Sequence, residues 1–301
     1  MLIFLVSSCR LVKMFEIDLE CIPCNLSIAI RSSRYATDDP RKQKEVLRRA
    51  LARLNNLTWK ENPMDISSDL QEIIKEVTGV DDPYREVKER SNENALKHVA
   101  KVRKMIEESA NPLKTAAKIA AAGNLIDFGA YSKVDLDAPI KSAEKADFVI
   151  DDYEEFSRRV LEARRLLFFF DNAGEVIFDK LLIETMIKIR EEPFEKMTFV
   201  GKEKPLLNDV TSEELRKLGF GDFPNSEIRG IGCGRSAKLH VRSEEVDRWF
   251  MEHDLVILKG QGNLEMFLER SNVFFLLVAK CAVVSRLLNV KQGSFILKYS
   301  R

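Results

Sequence analysis

The fold is decided by the stretch Leu166-Leu167-Phe168-Phe169-Phe170-Asp171-Asn172-Ala173-Gly174-Glu175. Its apolar run ends abruptly in an acid, an amide and a glycine, and a helix-like pattern begins directly afterwards at Val176 and Ile177. This order predicts a buried strand, a tight turn and a helix. In an open α/β sheet, ligands bind outside the carboxyl ends of the parallel strands. Asp171 and Asn172 are therefore expected at the mouth of a site.

The composition is that of an ordinary globular protein. The chain has 301 residues and is 45% apolar, which allows a sizeable core in one large or two ordinary domains. The 48 Lys and Arg residues balance 48 Asp and Glu residues, which argues against a general nucleic-acid-binding surface. The 5 cysteines are scattered, unlike those of small secreted domains, so a cytoplasmic location is expected. No apolar run reaches the roughly 18 residues of a membrane span, so we expect no membrane association.

The first 13 residues stand apart from the rest, because coherent patterning starts only at Met14. The segment Leu5-Val6-Ser7-Ser8-Cys9 loosely imitates a lipoprotein cleavage site but lacks a preceding basic region. A lipid anchor at Cys9 is one interpretation. The other, which we favour, makes residues 1–13 a non-native or disordered extension before a true start at Met14.

Residues 14–122 are predicted to form an all-helical domain. Apolar side chains recur at helical spacing while charges occupy the opposite faces. Gly79 is placed to end one helix, and Asn111-Pro112 to begin another. The predicted helices span Arg41–Leu54, Met64–Val77, Tyr84–Ile106 and Pro112–Ala122.

Residues 123–301 are predicted to form an α/β domain. From about Ala146, strand-like runs alternate with helical patterns, which indicates βαβ units and a mainly parallel sheet. Phe295–Lys298 is expected to close the sheet. The other predicted strands are Phe148–Ile150, Leu166–Phe170, Met197–Val200, Leu255–Leu258 and Val273–Val278.

Oxygen donors follow two of these strands. Asp171 and Asn172 come directly after Leu166–Phe170. The segment Asn208-Asp209-Val210-Thr211 comes after Met197–Val200. Two carboxylates and an amide oxygen suit a hard divalent cation and leave positions for water and phosphate oxygens. Alternatively, Asp209 caps the helix that is expected to begin at Ser212. Spacing alone does not decide between a metal ligand and a helix cap.

Two lysines at strand ends are candidates for binding an anion. Lys280 interrupts an otherwise apolar run, and a buried lysine is costly unless it meets an anion. Lys259 precedes the glycine-containing loop Gly260-Gln261-Gly262-Asn263, although snorkelling to solvent is equally open. The segment Gly230–Ser236 lacks a dinucleotide-binding spacing, so a flexible turn is favoured over a phosphate cradle.

Other motifs give weaker signals. Cys21 and Cys24 form a single C-x-x-C motif. Two interpretations stay open: the cysteines only pack against other side chains, or they form part of a composite metal site. In Gly123-Asn124-Leu125-Ile126-Asp127, an amide and a carboxylate could meet a polar ligand or cap helix ends. The sequence contains no G-x-S-x-G motif, which argues against a serine hydrolase. A haloacid-dehalogenase-type phosphatase needs a second Asp where Ala173 stands, so Asp171 is disfavoured as a phosphorylated nucleophile.

Taken together, the motifs resemble the metal-dependent damage-control phosphatases once catalogued as domain-of-unknown-function family 89, in the archaeal and bacterial branch with an N-terminal C-x-x-C. The resemblance runs from about Met14 to the C-terminus. It rests on Cys21-Ile-Pro-Cys24, Ser91-Asn92, Gly123-Asn124 with Asp127, Asp171-Asn172-Ala-Gly-Glu175, Asn208-Asp209-Val-Thr211, Lys259-Gly-x-Gly-Asn263 and Lys280.

The resemblance implies a helical part beside an α/β/α sandwich with a Rossmann-like sheet. It also implies a divalent metal (Mn, Ni, Co or Mg) held by Asp171, Asn172 and Asp209, with Lys280 taking part in catalysis. The residues expected at the substrate or its phosphate are Asn124, Asp127, Glu175, Lys259, Gly260, Gly262, Asn263 and Lys280.

The resulting hypothesis is a phosphatase that hydrolyses phosphate monoesters of small metabolites, either sugar phosphates or damaged phosphometabolites, through a metal-activated water. The expected partner is a small phosphorylated metabolite, without nucleic acid, and the oligomeric state is left open. Two rival hypotheses are a non-catalytic metal- or nucleotide-binding protein and an S-adenosylmethionine-dependent methyltransferase. The missing glycine-rich loop after the first strand argues against the methyltransferase.

Overall fold

The computed structural model describes residues 15–123, 146–234 and 237–301. Expectations for residues 1–13, Asn124 and Asp127 therefore lie outside the described residues. Within them, no helix is both long enough and apolar enough to cross a membrane.

Within residues 15–123 all the regular elements are helices, as the sequence predicts. Gly79, with φ of +81°, ends α3, and the side chain of Asn111 accepts a hydrogen bond from the Lys114 N–H to begin α6. The helices are α1 (Cys21–Ala36), α2 (Pro40–Asn55), α3 (Pro63–Thr78), α4 (Arg85–Leu96), α5 (Val99–Glu108) and α6 (Pro112–Ala122).

The single helix predicted over Tyr84–Ile106 is wrong, because α4 and α5 are separate. The His98 N–H donates to the Ala95 carbonyl at 3.0 Å, a tighter turn than an α-helix makes. Leu96, an apolar residue near the middle of the predicted helix, is 53% exposed. The chain therefore turns next to an apolar residue that does not pack into the core.

The strands of the described chain form one seven-stranded sheet in the order β1-β7-β6-β5-β2-β3-β4. Neighbours pair in parallel except β6 and β7, which confirms the mainly parallel α/β class. The strands are β1 (Phe148–Asp151), β2 (Arg165–Phe169), β3 (Lys196–Lys202), β4 (Ser226–Ile231), β5 (Leu255–Lys259), β6 (Val273–Val278) and β7 (Phe295–Ser300).

Two details of the sheet differ from the prediction. Strand β7 does not close the sheet, because it lies between β1 and β6 and runs antiparallel to β6. Strand β4 was not predicted and takes up the start of the segment expected to be a flexible turn at Gly230. Its side chains from Ser226 to Gly230 are all half-buried at the sheet edge, so the sequence shows no clear alternation there.

Helices cover both faces of the sheet. Along β2, Leu166 and Phe168 enter one apolar cluster, whereas Leu167 and Phe169 enter the other. Burial on both faces explains the unbroken apolar run of this strand. The later helices are α7 (Tyr153–Glu162), α8 (Glu175–Ile189), α9 (Ser212–Lys217), α10 (Glu244–Glu252), α11 (Gly260–Phe267) and α12 (Ala282–Leu288). Helices α1, α2 and α3 pack around a third, smaller cluster.

Strand order places a crevice beside β2. The chain passes from β2 to β3 on one side and later returns to β5 on the other side. Such a switch point leaves a crevice at the carboxyl ends of the two central strands, where ligands bind in open α/β sheets. The carboxyl ends here are Phe169 of β2 and Lys259 of β5.

Candidate active site

The turn after β2 is joined to the loop after β3 by backbone hydrogen bonds. The Val210 N–H donates to the Asp171 carbonyl at 2.8 Å, and the Ala173 N–H donates to the Asn208 carbonyl at 2.9 Å. These bonds set Asn172 opposite Asp209 in an isolated antiparallel bridge. The structure thus brings together Asp171, Asn172 and Asp209, the three predicted metal ligands, from two loops.

The Asn172 side chain is held by two carboxylates. Its Nδ2 donates to Asp171 Oδ2 at 2.6 Å and to Glu175 Oε2 at 3.1 Å. Asn92 of α4 adds a further contact to this turn, because its Oδ1 accepts a 2.6 Å hydrogen bond from the Gly174 N–H. The side chains that follow β2 are therefore tightly positioned.

Asp209 is buried beside a lysine that the sequence analysis did not single out. Lys202 Nζ lies 3.4 Å from Asp209 Oδ2, and both side chains are less than a tenth exposed. Burial raises the pKa of Asp209, and Lys202 opposes that rise. The available signal was a lysine two residues after the predicted strand Met197–Val200, the same offset that Lys280 has from the predicted strand Val273–Val278.

Asp171 is the most strongly perturbed acid of the site. Burial raises the pKa of its carboxyl well above the usual range, and the carboxylates of Asp209 and Glu175 raise it further. Lys280 and Lys202 lower it. A carboxyl perturbed in this way, in a crevice and among other charges, is typical of a functional site.

Gly260 and Gly262 bring the first turn of α11 against Asp171. A Cβ on Gly260 would lie 1.9 Å from Asp171 Oδ2, and the φ of this residue is +76°. A Cβ on Gly262 would lie 3.8 Å from Asp171 Oδ1. The glycines predicted to meet a phosphate thus allow the backbone to approach the Asp171 carboxylate.

Lys259 is completely buried. Its Nζ donates to Glu175 Oε1 at 2.6 Å, to Asp179 Oδ1 at 2.5 Å and to the Ala120 carbonyl at 2.9 Å. Burial acts to lower the pKa of Lys259, but Asp179 and Glu175 outweigh it, so the pKa is raised. Burial also raises the pKa of Asp179 to about 7, against the influence of Lys259. Lys259 therefore lies inside the wall of the crevice.

Asn263 and Lys280 lie at the same end of the sheet. Asn263 Nδ2 donates to the Phe170 carbonyl at 3.0 Å and the Lys259 carbonyl at 2.6 Å, so it ties the ends of β2 and β5 together. Lys280 is exposed, so the burial expected from its apolar run is wrong, and its backbone N–H donates to Gln261 Oε1 at 3.1 Å. Because its charge lowers the pKa of Asp171, the Lys280 ammonium acts on the site from its exposed side.

A cleft adjoins this group of residues. It has a volume of about 730 Å³ and lies between α4 and the segment that follows β3. Its lining includes Asn92, the basic residues Arg85 and Lys88, and acidic residues such as Glu203 and Glu214, and the acids outnumber the bases. Polar groups of both signs therefore line a space large enough for a small metabolite.

The cysteines of the C-x-x-C motif lie in the first turn of α1. Burial raises the pKa of Cys21 to about 11, so its thiol stays protonated at neutral pH. Among residues 15–123, 146–234 and 237–301, no group of three or more His, Cys, Asp or Glu side chains is arranged to hold a metal ion. A metal at the crevice would accordingly be held by two carboxylates and an amide, with water or substrate completing its coordination.

Comparisons with known proteins agree with this geometry. A family model described as the damage-control phosphatase ARMT1-like domain matches residues 17–296. Damage-control phosphatase PH1575 of Pyrococcus horikoshii is 33% identical over 292 residues, covering 93% of this chain and 97% of that protein. A damage-control phosphatase of Archaeoglobus fulgidus is 29% identical, with coverages of 92% and 97%.

A solved structure shares the fold. The crystal structure of PH1575, described as a DUF89 family protein, gives a TM-score of 0.82 at 30% identity and covers 95% of this chain and 99% of its own. The resemblance noted from the motifs is confirmed. Because the family model spans most of the chain and its relatives match almost end to end, this chain belongs to the damage-control phosphatase family with an ARMT1-like domain.

Proposed function

We propose that this chain is a phosphatase that uses a divalent metal ion to hydrolyse phosphate monoesters of small metabolites, either sugar phosphates or damaged phosphometabolites. Family membership supports the reaction class, since two of the archaeal relatives are named damage-control phosphatases. The observation that carries the metal dependence is an excess of buried negative charge at the carboxyl ends of β2 and β5.

This charge belongs to a set that we call the buried charged network: Asp171, Glu175, Asp179, Lys202, Asp209 and Lys259, all buried. Its four carboxylates face two lysines, an excess of two negative charges when every group is ionised. The buried Lys88 nearby is separately paired with Asp82 and Glu214, each at 2.8 Å. Because uncompensated buried charge is costly, a divalent cation is the natural partner of the network.

The donor set fits such an ion. Asp209 Oδ2 is buried and lies 3.4 Å from Lys202 Nζ, but it accepts no well-aligned hydrogen bond from any described residue, so a cation could share this oxygen with the lysine. Asp171, Asp209 and the amide oxygen of Asn172 would hold Mn, Ni, Co or Mg, ions that suit oxygen ligands or mixed sites. A bound ion would supply polarisation of the phosphoryl oxygens and activation of a water.

The chain's own residues would bind and orient the substrate. The exposed ammonium of Lys280 can bind the phosphoryl oxygens and stabilise charge as the phosphate leaves. The remainder of the substrate would occupy the cleft between α4 and the segment after β3. Contacts from Asn124 and Asp127 stay predictions.

The test is a metal-by-substrate phosphatase panel on the full chain. Mn, Ni, Co and Mg are each combined with a series of sugar phosphates and other phosphate monoesters, and released phosphate is measured. We expect hydrolysis with at least one metal and its loss on chelation. Replacing Asp171→Ala should lower kcat/KM at least about a thousandfold, in line with the loss of a residue on which the catalytic site depends.

The matched control is Asp38→Ala, which removes an exposed carboxylate far along the chain from the site. This variant should retain full activity. Hydrolysis that persists after chelation would contradict metal dependence. Metal binding without hydrolysis of any ester would instead favour a non-catalytic binding protein, and calorimetric binding of S-adenosylmethionine would favour a methyltransferase.

A further inference from the structure

The orientation of the Asn172 amide is determined by its neighbours. Asp171 Oδ2 and Glu175 Oε2 both lie within hydrogen-bond distance of Nδ2. With a cation bound, both groups would be carboxylates, which only accept hydrogen bonds, so the amide would turn its NH₂ group toward them. Its oxygen then faces away from both carboxylates. None of the described residues donates a hydrogen bond to Asn172 Oδ1.

Glu175 is itself held in place. Its Oε1 accepts a 2.6 Å hydrogen bond from Lys259, while its Oε2 accepts the bond from Asn172. Lys259 comes from β5 and is anchored by Asp179, one helical turn beyond Glu175, and by the Ala120 carbonyl. Glu175, Asp179 and Lys259 are all completely buried. Each of the two Glu175 oxygens thus has a defined partner.

We propose that Glu175, held by Lys259, is a positioning residue that fixes the amide of Asn172 with Oδ1 toward the metal. This inference rests on the proposed function and assigns Glu175 and Lys259 to the support of a metal ligand, whereas the motif resemblance placed both at the substrate. Asp179 serves as the second counter-ion of Lys259.

The physical reason is that a side-chain amide carries a hydrogen-bond donor, NH₂, on one side and an acceptor oxygen on the other. Rotating Asn172 by half a turn would present NH₂ to a cation and oxygen to two carboxylates, so every contact would be repulsive. A ligand that must be oriented depends on its supporting residues. Loss of such a supporting hydrogen bond typically weakens metal binding about 10- to 100-fold.

The experiment compares two isosteric variants of the full chain, Glu175→Gln and Asp179→Asn. Each removes one buried negative charge and leaves Lys259 paired with the other carboxylate, so the two are matched in charge and size. Mn²⁺ affinity is measured by calorimetry without substrate, and thermal melting checks that the variants are folded. We expect Glu175→Gln to weaken Mn²⁺ binding at least about tenfold, and Asp179→Asn to weaken it at most about threefold.

A third variant separates geometry from charge. Glu175→Asp keeps the negative charge but shortens the side chain by one methylene, so it no longer spans from Lys259 to Asn172. We expect it to lose Mn²⁺ affinity about as much as Glu175→Gln. If Glu175→Asp binds Mn²⁺ like the wild type, the effect is one of charge alone and the inference is overturned.

Other results overturn it as well. Equal losses in Glu175→Gln and Asp179→Asn would show that only total charge matters. A raised KM for a phosphate ester with unchanged Mn²⁺ affinity in Glu175→Gln would place Glu175 at the substrate. Wild-type protein that binds no metal defeats the proposed function as well, whereas a metal-dependent wild type with an unaffected Glu175→Gln defeats only the positioning role.

Discussion

Asp171 and Gly260 are a pair in which each residue limits the other. The carboxylate of Asp171 occupies the space where any side chain at position 260 would begin, and the backbone of Gly260 is left-handed. A small residue with positive φ is therefore required by both sterics and conformation. This contact is a structural reason for a glycine at position 260, and the contact predicted between Gly260 and a phosphate stays a prediction.

Gly260→Ala should destabilise the protein and disturb the metal site. The left-handed backbone costs about 1–2 kcal/mol for alanine, and the overlap with Asp171 adds about 1–3 kcal/mol. Urea denaturation should show a combined loss of about 3 kcal/mol, and calorimetry should show weaker Mn²⁺ binding.

Gly79→Ala is the control for this substitution. Gly79 has a similar φ of +81°, but a Cβ there meets nothing within 4 Å. Its loss should be about 1 kcal/mol, with unchanged Mn²⁺ affinity. Equal losses of stability in the two variants would show that the overlap with Asp171 has no cost.

Helices α3 and α11 are joined through a cap residue. The Asn62 Oδ1 accepts the Met64 N–H at 2.9 Å, as an N-cap should. The Asn62 Nδ2 also donates to the Glu265 carbonyl at 2.8 Å and the Phe15 carbonyl at 3.2 Å. One buried amide thus caps α3 and links the helical part of the chain to the helix that carries the crevice glycines.

Asn62→Ala should cost about 3 kcal/mol in the free energy of unfolding. About 1 kcal/mol is the lost cap, and the remainder is the burial of two carbonyls without their donor. Urea denaturation measures the loss. The comparison is Asp39→Ala, the exposed cap of α2, which also precedes a proline and should cost only about 1 kcal/mol. Similar costs for both would mean that the link to α11 contributes nothing.

In the molecule as a whole, the buried charged network lies at the switch point of the strand order, between β2 and β5. Strands β2 and β5 deliver Asp171 and Lys259 to one crevice, and the loop after β3 adds Asp209. The two clusters on the sheet faces are built from apolar side chains, and the buried charged network beside them costs free energy that a bound cation would offset. On the proposed function, metal binding should therefore stabilise the folded protein.

Mn²⁺ should raise the thermal stability of the wild-type protein. A ligand that binds only the folded state at a hundred times its Kd adds about 2.7 kcal/mol. Differential scanning calorimetry with increasing Mn²⁺ should show a rising Tm, reversed by chelation. Asp209→Ala should show no such rise, while Asp38→Ala should behave like the wild type. A Tm independent of Mn²⁺ in the wild type would contradict a metal site in the buried charged network.

Many of the strands and helix ends of this protein could be predicted from its sequence. The apolar run before Asp171 is buried on both faces of the sheet, so its hydrophobicity alone predicted a strand, and the capping residues Gly79 and Asn111 marked helix ends correctly. The break between α4 and α5 escaped prediction because an apolar Leu96 looks the same in sequence whether it packs or not. The edge strand β4 escaped because half-buried side chains leave no alternation.

By itself, the sequence determined the α/β class, the positions of the central strands and the acids and amides at their ends, because burial and capping leave patterns in neighbouring residues. Only the tertiary structure decided which of these groups meet. Lys202 joins Asp209, Lys259 joins Glu175 and Asp179, and Gly260 lies against Asp171. These contacts follow from strand order, and the free energy of a buried charge depends on neighbours that are distant in the chain.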